Sequence, residues 1–183
     1  MEQTLKTETL EDDRKRLLEM EKIELVNLLL LHIRDIWTID GLYYLGVETR
    51  HGTEEATKID QEVWAVMGKI QARRLKESLA ITDPGIKGLF QGLIHTDWWL
   101  DMDEKEYEVS DAHIRLTNRR CRVHEVRAKK GLDEFNCKQV RWGMLKNFAK
   151  EFDPNIEVDC HFCPKDPHPV DAWCEWQFNL KKE

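Results

Sequence analysis

One segment of the chain, residues 156–164, reads IEVDCHFCP and carries two overlapping patterns. Apolar residues alternate with polar ones from Ile156 to Phe162, which is typical of a β-strand with one buried face. Cys160 and Cys163 form a C-x-x-C, a spacing that lets two thiolates turn onto one metal ion. The segment therefore predicts a core-facing strand with a cysteine-bearing site at its end.

Two further strands are predicted in the same half of the chain. Residues 172–180 alternate in the same way, and they place Cys174 on the core face beside Trp176. Residues 107–118 form the third predicted strand, through the alternation of Ile114 and its neighbours. If the strands at 156–162 and 172–180 pair, their core-facing cysteines point the same way and could meet.

The rest of the chain has helical periodicity. The apolar pattern that begins at Glu11 covers much of the helix circumference and continues to His51, with a bend expected near Asp40 and Gly41. A second long helix is expected from an N-cap at Thr53 to about Leu79. Two shorter helices are expected at 121–130 and 137–151, capped by Asn118 and Asn136.

These elements predict an α+β fold in which long N-terminal helices pack on a small antiparallel sheet with two further helices. The length of 183 residues suits one domain. Its expected parts are a disordered start at 1–10, a mainly helical part at 11–100, and a cysteine-bearing α+β part at 101–183.

Composition excludes several partners. The net charge of −7 argues against general binding to nucleic acid or anionic membranes. The longest apolar run is short and flanked by Asn27 and His32, so no membrane span is expected. The N-terminus lacks the basic start and apolar centre of a signal peptide. A cytoplasmic location follows as an expectation, and with it five reduced thiols.

The clustered cysteines give a first hypothesis, a metal site. Zinc or an iron–sulfur cluster could be held by thiolates, with His161 or His168 as alternative ligands. The competing interpretation is that core-facing cysteines are small buried apolar residues. The candidate metal ligands are Cys137, Cys160, Cys163 and Cys174.

A second hypothesis is a cysteine nucleophile. Cys121 lies at a predicted helix N-terminus, where the helix dipole favours the thiolate. His124 follows one turn later and could take the thiol proton, with Glu125 or Asp40 assisting. The competing interpretation is that His124 and Glu125 are the solvated face of a short helix.

Three stretches of the chain carry a resemblance to a known family. Their residues are Asp40-Gly41, Gly52, Ala56, Asp60, Val63-Trp64, Cys121, Arg127, Gly131-Leu132, Glu134-Phe135, Cys137, Phe148-Ala149, Asp153-Pro154, Cys160, Cys163-Pro164, Asp166, Pro169, Cys174-Glu175-Trp176 and Phe178. They resemble a family of small prokaryotic cytosolic proteins similar to L-2-amino-thiazoline-4-carboxylic acid hydrolase. The resemblance implies an α+β fold and hydrolysis of a small cyclic thioimidate-like ring. It identifies no catalytic residues.

Three functions follow as alternatives. The chain could be a small-molecule hydrolase that uses Cys121, His124 and Glu125. It could be a protein that holds zinc or an iron–sulfur cluster through its C-terminal cysteines. It could also be a binding domain whose aromatic residues hold an apolar ligand. A small-molecule partner is expected in the first and third cases, and the sequence leaves a homo-oligomer open.

Overall fold

The computed structural model describes residues 7–181. The disorder predicted at 1–10 lies partly outside this range, on residues 1–6. Thr9 caps the first helix with its side chain, and Leu10 begins that helix. The cap satisfies the N–H of Asp12, one of the donors that a helix start leaves without a partner.

Within residues 7–181 the chain forms seven helices and four strands. None of these helices combines the length and apolar character needed to cross a membrane. The elements in chain order are α1 (Leu10–Leu18), α2 (Lys22–His51), α3 (Thr53–Ser78), α4 (Gly85–Leu93), α5 (Asp97–Asp101), β1 (Glu104–Val109), β2 (His113–Arg120), α6 (Arg122–Lys129), α7 (Cys137–Lys150), β3 (Ile156–Phe162) and β4 (Cys174–Leu180).

The long first helix differs from its prediction in one place. A break at residues 19–21 separates α1 from α2, and the carboxylate of Glu24 accepts the N–H of Glu21 at the new start. Further on, α2 continues as one helix through Asp40 and Gly41, where a bend is expected. Buried side chains on both sides of Gly41 hold this part of the helix against the core.

The four strands form one antiparallel sheet in the order β1-β2-β4-β3. The predicted pairing of β3 with β4 is confirmed, with Cys160 opposite Trp176. The single strand predicted at 107–118 is wrong, because a turn at 110–112 divides it into β1 and β2. The α+β fold class is confirmed.

Helices cover one face of the sheet. Helix α7 packs on β3 and lies closest to α3, where the backbones nearly touch: a Cβ added at Gly68 would lie 2.3 Å from the carbonyl oxygen of Met144. Phe148 of α7 and Trp176 of β4 are fully buried between these layers. The long α2 packs against α3, which leaves an enclosed space between α2, α6, α7 and the sheet.

Candidate functional site

A cavity of about 200 Å³ occupies the space between α2, α6, α7 and the end of the sheet. Its walls are mostly apolar, and they carry a small set of charged and polar groups, which is the usual composition of a ligand pocket. Its chemistry-bearing residues are Asp40, Asp60, Asp101, Asn118, Cys121, Arg122, His124, Arg127, Cys137, Arg141 and Cys174.

Two carboxylates lie at the helical end of the cavity. Burial, together with the nearby charge of Asp40, raises the pKa of Asp60 to about 7. Burial also raises the pKa of Asp40, although the indole N–H of Trp64 donates to its Oδ1 at 3.0 Å and favours the charged form. Asp60 therefore titrates close to neutral pH, and the charge of Asp40 contributes to this raised pKa.

A guanidinium lies beside this pair. Trp37 and Trp64 stack with centroids 4.9 Å apart, and the Arg141 guanidinium carbon lies 4.5 Å and 4.9 Å from these rings. Its charge partly offsets the raised pKa values of Asp40 and Asp60. Within residues 7–181 it forms no ion pair, and its one side-chain hydrogen bond goes to the sulfur of Met144 at 3.1 Å. Arg141 thus keeps donors for an acceptor in the cavity.

His124 lies on another wall with its hydrogen-bonding groups unused. The residue is 2% exposed, and its ring is stacked between Phe135 and Trp173. Neither ring nitrogen has a hydrogen-bond partner among the described residues. Burial lowers the pKa of His124 to about 4, so the ring is neutral at pH 7 and offers one donor and one acceptor. Buried polar groups are normally paired, and this exception requires an explanation.

Cys121 lies close by, at the predicted helix start. It is the N-cap of α6, and the N–H groups of Val123 and His124 point at its sulfur. Burial nevertheless raises the pKa of Cys121 to about 12, with a smaller contribution from the neighbouring thiols of Cys137 and Cys174. This direction is opposite to the lowered pKa expected at a helix start, because the loss of solvation outweighs the helix dipole.

Glu125 lies away from the cavity. It pairs with Arg120 at 3.1 and 3.2 Å in a partly exposed ion pair. The structure thus brings Cys121 and His124 to the same cavity and leaves Glu125 outside it. Asp40 instead lines the cavity among the aromatic rings of Trp37 and Trp64.

The other four cysteines meet beneath the cavity. The sulfur of Cys163 is 3.4 Å from that of Cys137. Interactions with the thiols of Cys137, Cys160 and Cys174 raise the pKa of Cys163. The contact with Cys163 lowers the pKa of Cys174 against the effect of burial, helped by the indole N–H of Trp176. Cys137 and Cys174 also line the cavity, so cluster and cavity share a wall.

The spacing of these sulfurs differs from that of a preformed metal site. In residues 7–181 no group of three or more His, Cys, Asp and Glu side chains is arranged to hold a metal ion. Tetrahedral zinc with Zn–S bonds of about 2.3 Å separates its sulfurs by roughly 3.8 Å, more than the 3.4 Å between Cys137 and Cys163. The histidines are engaged elsewhere: His161 contacts Glu175, and His168 contacts the carbonyls of Pro169 and Ala172.

Two cavity residues were not recognised as functional in the sequence. Asp60 follows an apolar residue on a helix with many acids, and Arg141 is one of many basic residues on helix surfaces. A usable signal was present on α3, where Thr57, Asp60 and Trp64 lie on one helix face at spacings of three and four. An acid in line with a buried tryptophan points inward.

One family model matches residues 17–180 of the chain, and its description is "Family of unknown function (DUF6125)". No curated protein and no solved structure matches the chain.

Proposed function

Since the chain belongs to the DUF6125 family of unknown function, we propose a function from its cavity: hydrolysis of a small ring compound by the Asp40–Asp60 pair. The supporting observation is that two partly buried carboxylates share the cavity and the pKa of Asp60 is about 7. An acid–base group is most effective when its pKa lies near the working pH.

The two carboxylates take different roles because their environments differ. Asp60 has the pKa nearer neutrality and serves as the acid, while Asp40, whose charge is supported by Trp64, serves as the base. Asp40 takes a proton from water as the water oxygen bonds to the ring carbon. The C–N or C–S bond then breaks, and the leaving atom takes the proton of Asp60. One water is added across one bond.

Other groups in the cavity suit a small polar ligand. The donors of Arg141 fit an acidic group such as a carboxylate. His124 can donate one hydrogen bond and accept another, which would satisfy its unpaired nitrogens. A volume of about 200 Å³ corresponds to about seven waters at about 30 Å³ each, which suits a single small ring. The resemblance to the amino-thiazoline hydrolases supports the same reaction class.

The test is turnover of small cyclic amidines and thioimidates, with and without a carboxylate, followed by mass spectrometry for the gain of one water. Asp60→Asn and Asp40→Asn are each expected to lower kcat by about 100-fold or more, the usual contribution of a general acid or base. Asp35→Asn is the matched control, because Asp35 is an exposed acid on the same helix as Asp40.

Cys121→Ser separates this reaction from thiol catalysis. It is expected to keep most of the activity, because the Cys121 thiol is protonated at neutral pH. Loss of activity in Cys121→Ser with full activity in both aspartate variants would instead assign the reaction to the thiol. Absence of turnover with every ring compound would contradict the hydrolase proposal.

A second candidate function is metal binding by Cys137, Cys160, Cys163 and Cys174. One observation favours it: the four thiols lie near one another, and the sulfurs of Cys137 and Cys163 are 3.4 Å apart. Thiolates that converge in a buried place are stabilised by a soft cation, either zinc or the irons of a cluster. The sulfurs would have to separate from 3.4 Å to roughly 3.8 Å to admit zinc.

Elemental analysis of tag-free protein purified without oxygen tests this candidate. About one zinc, or several irons, per chain is expected, with four thiols protected from labelling. Cys163→Ser should release the metal, whereas Cys121→Ser should retain it, because Cys121 lies outside the cluster. Five freely titrating thiols in metal-free protein would contradict metal binding.

A further inference from the structure

Helices α2 and α3 expose a continuous apolar surface, here called the outer face. Its residues are large, and between 41% and 74% of each is exposed. A helix that is apolar around most of its circumference is normally buried, and α2 is only buried along one side. The outer face consists of Ile36, Ile39 and Tyr43 on α2 and Ile59, Val63 and Val66 on α3.

The two rows of residues lie side by side. On each helix their spacing of three and four keeps them on one surface. The helices run antiparallel, and two inner contacts fix their register: Trp37 stacks on Trp64, and the hydroxyl of Tyr44 meets that of Thr57 at 2.9 Å. In that register the exposed rows are neighbours on the side away from α7, which α3 contacts through Gly68.

The area of the outer face is a large part of what a standard dimer interface buries. Tyr43 buries roughly 150–250 Å² when fully covered and the five aliphatic side chains bury less each, so the six at these exposures offer on the order of 500 Å². A standard interface buries about 800 Å² from each partner. Scattered exposed apolar residues are normal, but a contiguous patch of this size marks an interaction site.

The outer face is also suited to its own copy. Neither row contains a charge, so two identical faces can meet about a two-fold axis without burying unpaired charges. Tyr43 projects beside a groove that includes Leu42, Gly46 and Val47 and is bordered by Arg50 and His51, so the Tyr43 ring of each copy could fit into the groove of the other. An anionic membrane is a poorer partner for a chain of net charge −7.

We propose that the outer face binds the outer face of a second copy, so that α2 and α3 of two chains form a four-helix core. Antiparallel helix pairs commonly join in this way, with left-handed packing near 20°. The dimer leaves the cavity accessible from the opposite side of the hairpin and is independent of the proposed hydrolysis.

Light scattering and sedimentation of the full chain over a range of concentrations test the proposal. The wild type is expected to have twice the chain mass, dissociating only on dilution. Val66→Glu and Val63→Glu are expected to raise the dissociation constant by at least about 100-fold, because each dimer would bury two unpaired carboxylates. Val170→Glu is the matched control, since Val170 is fully exposed in the loop between β3 and β4.

Circular dichroism of each variant checks that its helices are retained. A monomeric wild type at every concentration would overturn the proposal, as would a dimer that survives both outer-face substitutions. Co-sedimentation with vesicles of phosphatidylcholine and phosphatidylserine provides a further arm. Vesicle binding by a monomeric wild type, lost in Val66→Glu, would assign the outer face to a membrane and overturn the dimer.

Discussion

Arg127→Ala is expected to lower the free energy of unfolding by about 3–5 kcal/mol, the cost of breaking a buried ion pair. The Arg127 guanidinium binds both carboxylate oxygens of Glu48 at 2.9 Å, and the two side chains are 8% and 14% exposed. Its Nε also donates to the carbonyl of Asp133 at 2.7 Å. The substitution would leave the Glu48 carboxylate half-enclosed without its cation.

The position of Arg127 makes the expected loss of stability larger than the loss of its ion pair with Glu48 alone. Its guanidinium packs on the rings of Tyr44 and Phe135, at 5.6 and 5.4 Å from their centroids. It therefore joins the C-terminal part of α2 to α6 and to the segment before α7, across a wall of the cavity. Urea unfolding followed by circular dichroism would measure the effect.

Arg120→Ala is the matched control. Arg120 also binds a glutamate, Glu125, but its side chain is about half exposed, so the expected cost is below about 1 kcal/mol. Combining Arg127→Met with Glu48→Gln should recover part of the loss, because the second change removes the stranded charge. Equal costs for Arg127→Ala and Arg120→Ala would show that burial does not strengthen this pair.

The second large effect is a pH dependence of stability. The pKa of Asp60 rises from 3.8 to about 7 on folding, so between these values the folded chain holds a proton that the unfolded chain has lost. The contribution of protonated Asp60 to stability is therefore present at pH 4 and is lost as the pH rises to 7. Asp60→Asn has no carboxyl group to ionise, so it avoids this loss. At pH 8 its free energy of unfolding should be about 2–4 kcal/mol higher than that of the wild type.

The quantity to measure is the difference in free energy of unfolding between wild type and variant at each pH. His124 changes in the opposite sense, because its lowered pKa makes stability fall as the pH drops from 6.5 towards 4. That contribution is common to both proteins and cancels in the difference. Asp35→Asn should show no such trend, since Asp35 is exposed. A difference for Asp60→Asn that is constant from pH 5 to pH 8 would contradict the raised pKa.

The strands with a buried face could be predicted from sequence, but only residues 107–109 of the exposed edge strand β1 lie within a predicted strand. β3 and β4 alternate because one face packs on α7 and α4. β1 reads EKEYEV and has no buried residue, so its sequence resembles a polar loop. A charged edge strand is held by its neighbour's hydrogen bonds and protects the sheet from further pairing. Sequence periodicity indicates which face of a strand is buried, and no residue of β1 is buried.

The candidate site was predictable only where it depended on local geometry. The alternation placed Cys160 and Cys174 on one sheet face, and Cys163 indeed lies within reach of both. The helix start at Cys121 was also predicted correctly, yet the consequence for its pKa was not. Enclosure of the sulfur depends on elements distant in sequence, and the same is true of Asp60 and Arg141. Local patterns place a side chain, whereas tertiary packing sets its charge.

The position of β4 inside the sheet has a consequence for synthesis of the protein. β4 is the last of the described elements to leave the ribosome, yet it lies between β2 and β3 and pairs with both. Until it emerges, those strands expose backbone edges that can pair with other chains. A nascent chain stalled before Cys174, or one shortened by a premature stop there, would present two unprotected edges, and cellular quality control would have to act on it.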